Sequence, residues 1–432
     1  MMSDRERHGQ ASAWQRLRRP HFVIGLTAGA ALAWPAHAGG FYSPYQSATA
    51  IGTAFAGASA RSDDAGFFFY NPASIAGISQ RQTFFDVRAF SPNVRIEPTR
   101  AVSPLQVPVL DDGASGNIAR DALAVGSVTA IPLAPGLVLG LASSAPFASD
   151  VETRGLWAGR YHLQKSYMVG LNATGALAWQ ATPWLALSAG LQVQRMTNEF
   201  RNLAVIPQGA AQPVEAEASL QATGWAASPV AGAVLTPIEG TRIGLSWRSA
   251  MTHRMHGETG ARAPGIAVEQ VSYDLDLPHI ASLGLEQRLG RDWRLFAEWQ
   301  WAGWSRFKGF DFSFASGRPD ERRAIEWRDT SIIAVGLGYR LLTSTEVTIG
   351  AALDKGAARA GSGTTLSPDS NKLLVGAGLL HDAAGLGRFS LSYGLLLLDD
   401  GNVRASNLAG GTLEGKLVGR MHMLAMGYTY AW

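Results

Sequence analysis

Segments of ten or more residues in this chain alternate bulky apolar side chains with small or polar ones, and turn residues separate them. Successive side chains of a strand point to opposite faces, so such a segment has one apolar face and one mixed face. In the last segment Leu424, Met426, Tyr428, Tyr430 and Trp432 share one face, with Ala425, Gly427, Thr429 and Ala431 on the other. Trp293, Leu295, Ala297, Trp299 and Trp301 repeat the pattern around Arg294, Glu298 and Gln300, as do Ile243, Leu245 and Trp247 around Arg242, Gly244, Ser246 and Arg248. Lipid-facing and lumen-facing residues alternate in this way in a transmembrane barrel, and aromatic girdles at the two interfaces account for the rings at segment ends. Beyond residue 38 no apolar run is long enough for a membrane helix. The densest aliphatic cluster, Leu395–Leu398, ends at Asp399 and Asp400.

Composition agrees. Of 432 residues 47% are hydrophobic and 16% charged, with 49 glycines. That mixture suits twisted strands and tight turns better than helices. There is no cysteine, as befits an exported chain that uses neither disulfides nor thiol chemistry. Residues 1–38 read as a secretory signal, with a basic start (Arg5, Arg7, Arg16, Arg18, Arg19), an apolar stretch from Phe22 to Trp34 and the small-x-small pattern Ala36-His37-Ala38. Those five arginines less Asp4 and Glu6 account for the formal charge of +3, so the mature chain is near neutral. No basic face suits a nucleic acid.

Short connections (around Pro135-Gly136, Pro183, Glu239-Gly240 and Arg291-Asp292) alternate with long polar ones (98–118, 148–160, 203–216, 257–267, 315–324 and 355–370). The reading is all-β: a fourteen-stranded antiparallel transmembrane barrel over 79–432, its third strand at 137–147, its fifth at 184–202 and its tenth at 325–341. Residues 39–78, with Phe67-Phe68-Phe69-Tyr70, are too apolar for a loose tail and are read as a plug, or hatch, in the lumen.

Catalysis and metal binding find no support. His253 and His256 lie three apart on a strand and therefore on opposite faces. Asp274, Asp276 and His279 have no nucleophile motif near them, and no glycine loop opens a helix for a phosphate. No enzyme, cofactor or metal is expected.

The ordered set Gly40-Phe41, Ser47, Gly52, Gly57, Asp63-Asp64-Ala65-Gly66 and Asn71-Pro72-Ala73 resembles the hatch of the FadL/TodX family of outer-membrane transporters. Trp157–His162, Arg242–Ser249, Trp301–Ser305 and Arg328–Thr330 extend the resemblance along 39–432. It implies a monomeric barrel in the Gram-negative outer membrane, among lipid and lipopolysaccharide, assembled through its C-terminal strand. The implied cargo is a hydrophobic small molecule, a long-chain fatty acid or alternatively an aromatic hydrocarbon, leaving sideways where the third strand kinks. A general porin and a structural or adhesive barrel are the remaining readings.

The resemblance places the kink near Ser143-Ser144-Ala145-Pro146, with Ala122 across the gap. Pro146 lacks the ladder N–H, and the alternative is that it ends the strand. Arg201 and Arg323 match basic positions that hold a substrate carboxylate in fatty-acid members. Otherwise they are solvated arginines at loop bases or contacts to lipopolysaccharide. Asn71, with Pro72 and Ala73, is assigned to hatch architecture or gating, and Asp63 and Asp64 to pairing with lumenal arginines.

Overall fold

The computed structural model describes residues 41–432 apart from 154, 209–210, 264, 360–364, 366–367 and 408–409. The signal assigned to 1–38 lies outside the described residues. Fourteen antiparallel strands close into a barrel. The first six are Gln82–Val102, Ala122–Ala134, Leu137–Glu152, Lys165–Thr182, Leu185–Gln208 and Ala211–Ile238. Four interrupted strands follow: Thr241–Arg248 with Met251–Ala261, Glu269–Leu277 with Ile280–Leu289, Trp293–Ala302 with Gly309–Phe314, and Glu321–Ala324 with Thr330–Leu342. The last four are Thr345–Asp354, Lys372–Ala383, Gly387–Leu398 (continued by Gly401–Asn407) and Gly411–Ala431. The first strand pairs with the fourteenth from Gln82↔Ala431 to Val102↔Thr412, which closes the sheet and removes its edges.

All the short turns and the C-terminal Trp432 lie at one end, where Trp179, Trp184, Trp293 and Trp432 stand exposed as a girdle. At the other end the strands run past the apolar belt. The fifth and sixth form a hairpin through residues expected to be loop, with Leu203 opposite Glu217 and Val205 opposite Glu215. Alternating hydrophobicity marks contact with lipid, whereas a β-ladder satisfies backbone groups equally well in water. The pattern therefore stops before the strands do.

Residues 41–78 fill the lumen. Their only regular pieces among the described residues are the helix Ala48–Ile51 and the 3-10 turns Ala65–Phe69 and Pro72–Ile75. Phe67, Phe68 and Ile75 are fully buried. The wall makes room with glycine. A Cβ on Gly244 would stand 1.9 Å from the Ser59 carbonyl oxygen, one on Gly350 2.0 Å from that of Thr53, and one on Gly376 2.1 Å from that of Ile51. Because the hatch backbone lies directly on the wall, no side chain fits between them at these points.

Candidate transport pathway

The hatch is fastened around the circumference. On the first strand Asp86 accepts from the Ala48 N–H at 2.7 Å, and Arg88 donates to the Tyr45 carbonyl. On the ninth, Glu298 accepts from the Ser59 hydroxyl at 2.7 Å and its N–H at 3.1 Å. Asn71 is fully buried. Its amide donates to the carbonyls of Ser59 (2.7 Å) and of Ala233 on the sixth strand (2.9 Å), and its oxygen accepts from the Ala73 N–H, capping the turn that Pro72 begins. One side chain thus joins two parts of the hatch to the wall, and Pro72 supplies a preset φ where no N–H is needed.

The paired aspartates behave differently. Asp63 bonds to Arg61 at 2.7 Å and to Arg294 of the ninth strand at 2.6 Å, while Arg388 of the thirteenth donates to its carbonyl at 2.5 Å. Asp64, expected beside arginines as well, instead caps the Ala65–Phe69 turn. It accepts from the Gly66 N–H at 2.8 Å and the Thr49 hydroxyl at 3.0 Å, with no ion pair among the described residues. The reason is steric: consecutive residues at a turn point apart, so only one carboxylate faces the wall.

Burial pushes the Asp63 carboxyl upward, but the Arg294 and Arg61 charges outweigh it and hold it well below the usual carboxylate range. Burial, reinforced by the Asp63 charge, raises Asp64. The signs are opposite. A depressed carboxylate adds stability above its unfolded pKa that is lost as pH falls through the folded value, whereas a raised one favours the fold at low pH and loses that as pH rises. Asp63→Asn is expected to loosen the hatch at neutral pH by roughly 1.5–3 kcal/mol per lost charge-assisted bond. Asp64→Asn keeps an acceptor for Gly66 and removes a buried charge, so its effect is expected to be smaller. Protease sensitivity of the hatch at pH 7 ranks the two variants.

The third strand leaves the wall. Up to Ser143 it pairs with the second strand, ending at Ser127↔Ser143. Against the fourth, the register jumps from Ser144↔Asn172 to Phe147↔Gly170, so Ala145 and Pro146 together oppose Leu171. This is a bulge, formed where a residue without an N–H interrupts the ladder. Beyond it the alternation of exposure ceases, and Ala145 through Val151 are all buried. A wall strand shows one face to lipid; this stretch shows neither. It pairs instead with the start of the hatch: Ser43 N–H to the Pro146 carbonyl at 2.7 Å, Ala148 N–H to the Phe41 carbonyl at 2.8 Å, and a bridge between Tyr42 and Phe147. The wall resumes where Glu152 N–H meets the Ile118 carbonyl at 2.7 Å. Ala122, which pairs on its other side with Phe90, and its neighbours to Gly126 are left without a partner on the third strand.

Above the hatch lies an aromatic cluster that the sequence reading did not assemble. Phe41 packs on Trp304 at 4.9 Å between ring centres, Trp304 on Trp327 at 4.9 Å, and Phe307 on Trp327 and Phe310 at 5.0 and 5.3 Å. Trp304 turns inward because the ninth strand breaks at Gly303 into a 3-10 turn. The alternation Phe310, Phe312, Phe314 was visible in the sequence; the inward turn ahead of it was not.

Arg201 and Arg323 are occupied. Arg201 meets Glu152 at 2.9 Å, Glu199 at 3.3 Å and Glu217 at 3.7 Å. Arg323 meets Glu321 at 2.7 Å and lies 5.4 Å from the Phe312 ring centre. Asp276 pairs with Arg306 at 3.0 Å, and His279 accepts from the Ala250 N–H and stacks on Trp247. His253 is buried and His256 exposed, on opposite faces.

The model of the outer membrane protein transport family OMPP1/FadL/TodX matches residues 29–432. The chain belongs to that family. Its members sit in the outer membrane, where short turns face the periplasm and longer loops the exterior. The family and its fold are those of transport channels, not enzymes. An outer membrane protein of Neisseria meningitidis serogroup B is 22% identical over 423 residues, 88% of this chain and 90% of its own length. The structure of a Pseudomonas aeruginosa FadL homologue superposes with a TM-score of 0.83 at 19% identity, covering 91% of this chain and 99% of that one. The Ralstonia pickettii toluene transporter TbuX gives 0.67 at 13% identity, covering 89% of this chain and 97% of its own. The Pseudomonas putida toluene transporter TodX also gives 0.67, at 12% identity, covering 91% and 99%. At these identities the likeness is one of fold.

Proposed function

We propose that this family member admits a hydrophobic compound, a long-chain fatty acid in the preferred reading, from the exterior to the aromatic cluster and releases it sideways into the membrane beside the third strand. No energy source is involved. The observation that carries this reading is the third strand's desertion of the second at Ala145-Pro146, which opens the wall at the level of an intact hatch. A sideways exit spares an apolar chain full hydration, which costs about 0.8 kcal/mol per CH₂. Arg201 and Arg323 serve as carboxylate anchors in this scheme only if the substrate displaces Glu321 or one of the three glutamates around Arg201. Aromatic hydrocarbons are the second reading, favoured by a cluster lined with rings rather than with free cations.

The test is Ala145→Arg, which puts a long charged side chain into the gap. Uptake of labelled oleate or toluene by cells carrying the variant is expected to fall to background while the barrel still assembles. Normal uptake through an assembled variant would refute the lateral route.

A further inference from the structure

The outward face of the wall changes character at one height. On the fifth strand Leu187, Leu191 and Val193 stand exposed to lipid, and the next outward residue is Arg195. Trp184 of the periplasmic girdle and Arg195 bracket enough strand to span the roughly 25 Å apolar band of a barrel. On the sixth strand Trp225 pairs with Arg195 and is 65% exposed. Arg254 follows on the seventh, outward between the fully buried His253 and Met255. A Cβ on Gly224, the neighbour of Trp225, would stand 2.6 Å from the Arg254 carbonyl oxygen, so the two strands touch here. Two guanidinium groups thus flank an exposed indole at the upper interface, about 10 Å apart at two strand spacings. No carboxylate of the described residues lies within 4.0 Å of either, although Asp274 faces Arg254 across the ladder.

What lies below and above this row suggests the ligand. Below Trp225 the outward residues of the sixth strand are small: Ala227, Pro229, Ala231 and Ala233. Leu191 and Val193 stand beside them on the fifth strand, Leu245 and Trp247 on the seventh. Small side chains between two bulky rows leave a shallow lane, wide enough for one hydrocarbon chain between neighbours two strand spacings apart. Above Trp225 a cleft of about 470 Å³ is lined by Tyr167, Thr197, Gln221, Thr223, His256 and Gln270. Its volume suits a small-molecule site, and its hydroxyl and amide groups can both donate to and accept from sugar hydroxyls. Glu199 and Glu258 also line it, but Lys165 holds the first at 2.5 Å and Gln270 the second at 3.0 Å. From the membrane outward the order is apolar lane, paired cations, polar cleft.

We propose that this face of the wall is a fixed seat for one molecule of lipid A, the phosphorylated and acylated disaccharide of lipopolysaccharide. A phosphate lies between Arg195 and Arg254, a sugar in the cleft and an acyl chain in the lane. Guanidinium forks match phosphate oxygens through paired, charge-assisted hydrogen bonds. An indole is at home where the acyl ester meets the sugar, one side apolar and the other wet. A phospholipid offers phosphate and chains but no sugar to fill the cleft. The seat is on the outside of the barrel and does not depend on the lateral route.

The experiment measures binding of three probes to the full chain in detergent by native mass spectrometry: lipid A with its phosphates, the same lipid A stripped of them by phosphatase, and phosphatidylglycerol. The wild-type protein is expected to bind the phosphorylated form about tenfold or more tighter than either other probe, the worth of a charge-assisted bond. Arg195→Gln with Arg254→Gln is expected to bring it down to the level of the stripped form. Ala231→Trp, which fills the lane, is expected to weaken both forms of lipid A severalfold. Arg420, an outward arginine of the last strand between Asn93 and Leu397, controls for charge alone, and Arg420→Gln is expected to change nothing. Equal affinity for the two forms of lipid A, equal affinity for phosphatidylglycerol, or an Arg420→Gln loss as large as that of the pair would each overturn the proposal, as would unaltered binding by Ala231→Trp. Should the double variant fail to assemble, the three probes on the wild-type protein decide the matter by the same comparison.

Discussion

Deletion of Pro146 is expected to seal the wall and abolish uptake. Ala145 and Pro146 share a single partner position opposite Leu171, so removing one residue restores one-to-one pairing from Ser144↔Asn172 to Phe147↔Gly170. The third strand then has no reason to turn inward, and the ladder that ends at Ser127↔Ser143 can continue along the second strand. Each added pair satisfies backbone groups now turned toward the hatch, so the straight form is stable in its own right. The absence of native cysteine makes the result directly readable. Continued pairing would set residue 125 opposite residue 145. A Val125→Cys, Ala145→Cys pair is expected to crosslink on the Pro146-deleted background and to stay reduced when Pro146 is present. A disulfide requires Cα atoms within about 7 Å. Uptake that survives in a crosslinked protein would show that the cargo leaves elsewhere.

The second large effect is expected from bulk added where the hatch rests on the wall. Gly244→Val together with Gly376→Val places side chains about 2 Å from the Ser59 and Ile51 carbonyls, distances that force backbone apart. Overpacking of this kind costs roughly 1–3 kcal/mol per site when side chains can move aside. Here the obstacles are main-chain atoms of the hatch, and the sum competes with the fastenings through Asn71, Glu298 and Asp63. The barrel does not depend on those fastenings, since its ladders close from the first strand to the fourteenth without the hatch. The double variant is therefore expected to assemble with a displaced hatch and to carry large, steady ionic currents in planar bilayers, and the wild-type protein to be silent there. A silent double variant would mean that the hatch is not what stops the lumen.

Much of this architecture was legible in the chain. Exposure of Leu424, Met426 and Tyr430 with burial of Ala425 and Thr429 follows residue by residue from the alternation of the last strand. The resemblance placed the kink at Ser143-Ser144-Ala145-Pro146, while the missing N–H of Pro146 by itself left a kink and a strand end both open; Pro92 and Pro229 sit in strands without any shift of register. The fourteen segments were countable, though four of them break. Asn71 was assigned to hatch architecture or gating, and the structure shows it capping the turn that Pro72 begins. The loops were less well read: Glu321–Ala324 and the extensions of the fifth and sixth strands lie beyond the lipid, where nothing requires alternation.

What the sequence determined by itself was whatever depends on neighbours one or two residues away, namely strand periodicity, turn chemistry and the residue that cannot bond. The tertiary structure decided which charges meet. Arg201 is far from Glu152 in the chain but faces it across the fourth strand, and Asp63 finds Arg294 231 positions away. A guanidinium reads the same in a sequence whether it will meet one carboxylate, as Arg323 does, or three, as Arg201 does. Only closure of the barrel around its hatch, which fixes partners across the whole lumen, tells the two apart.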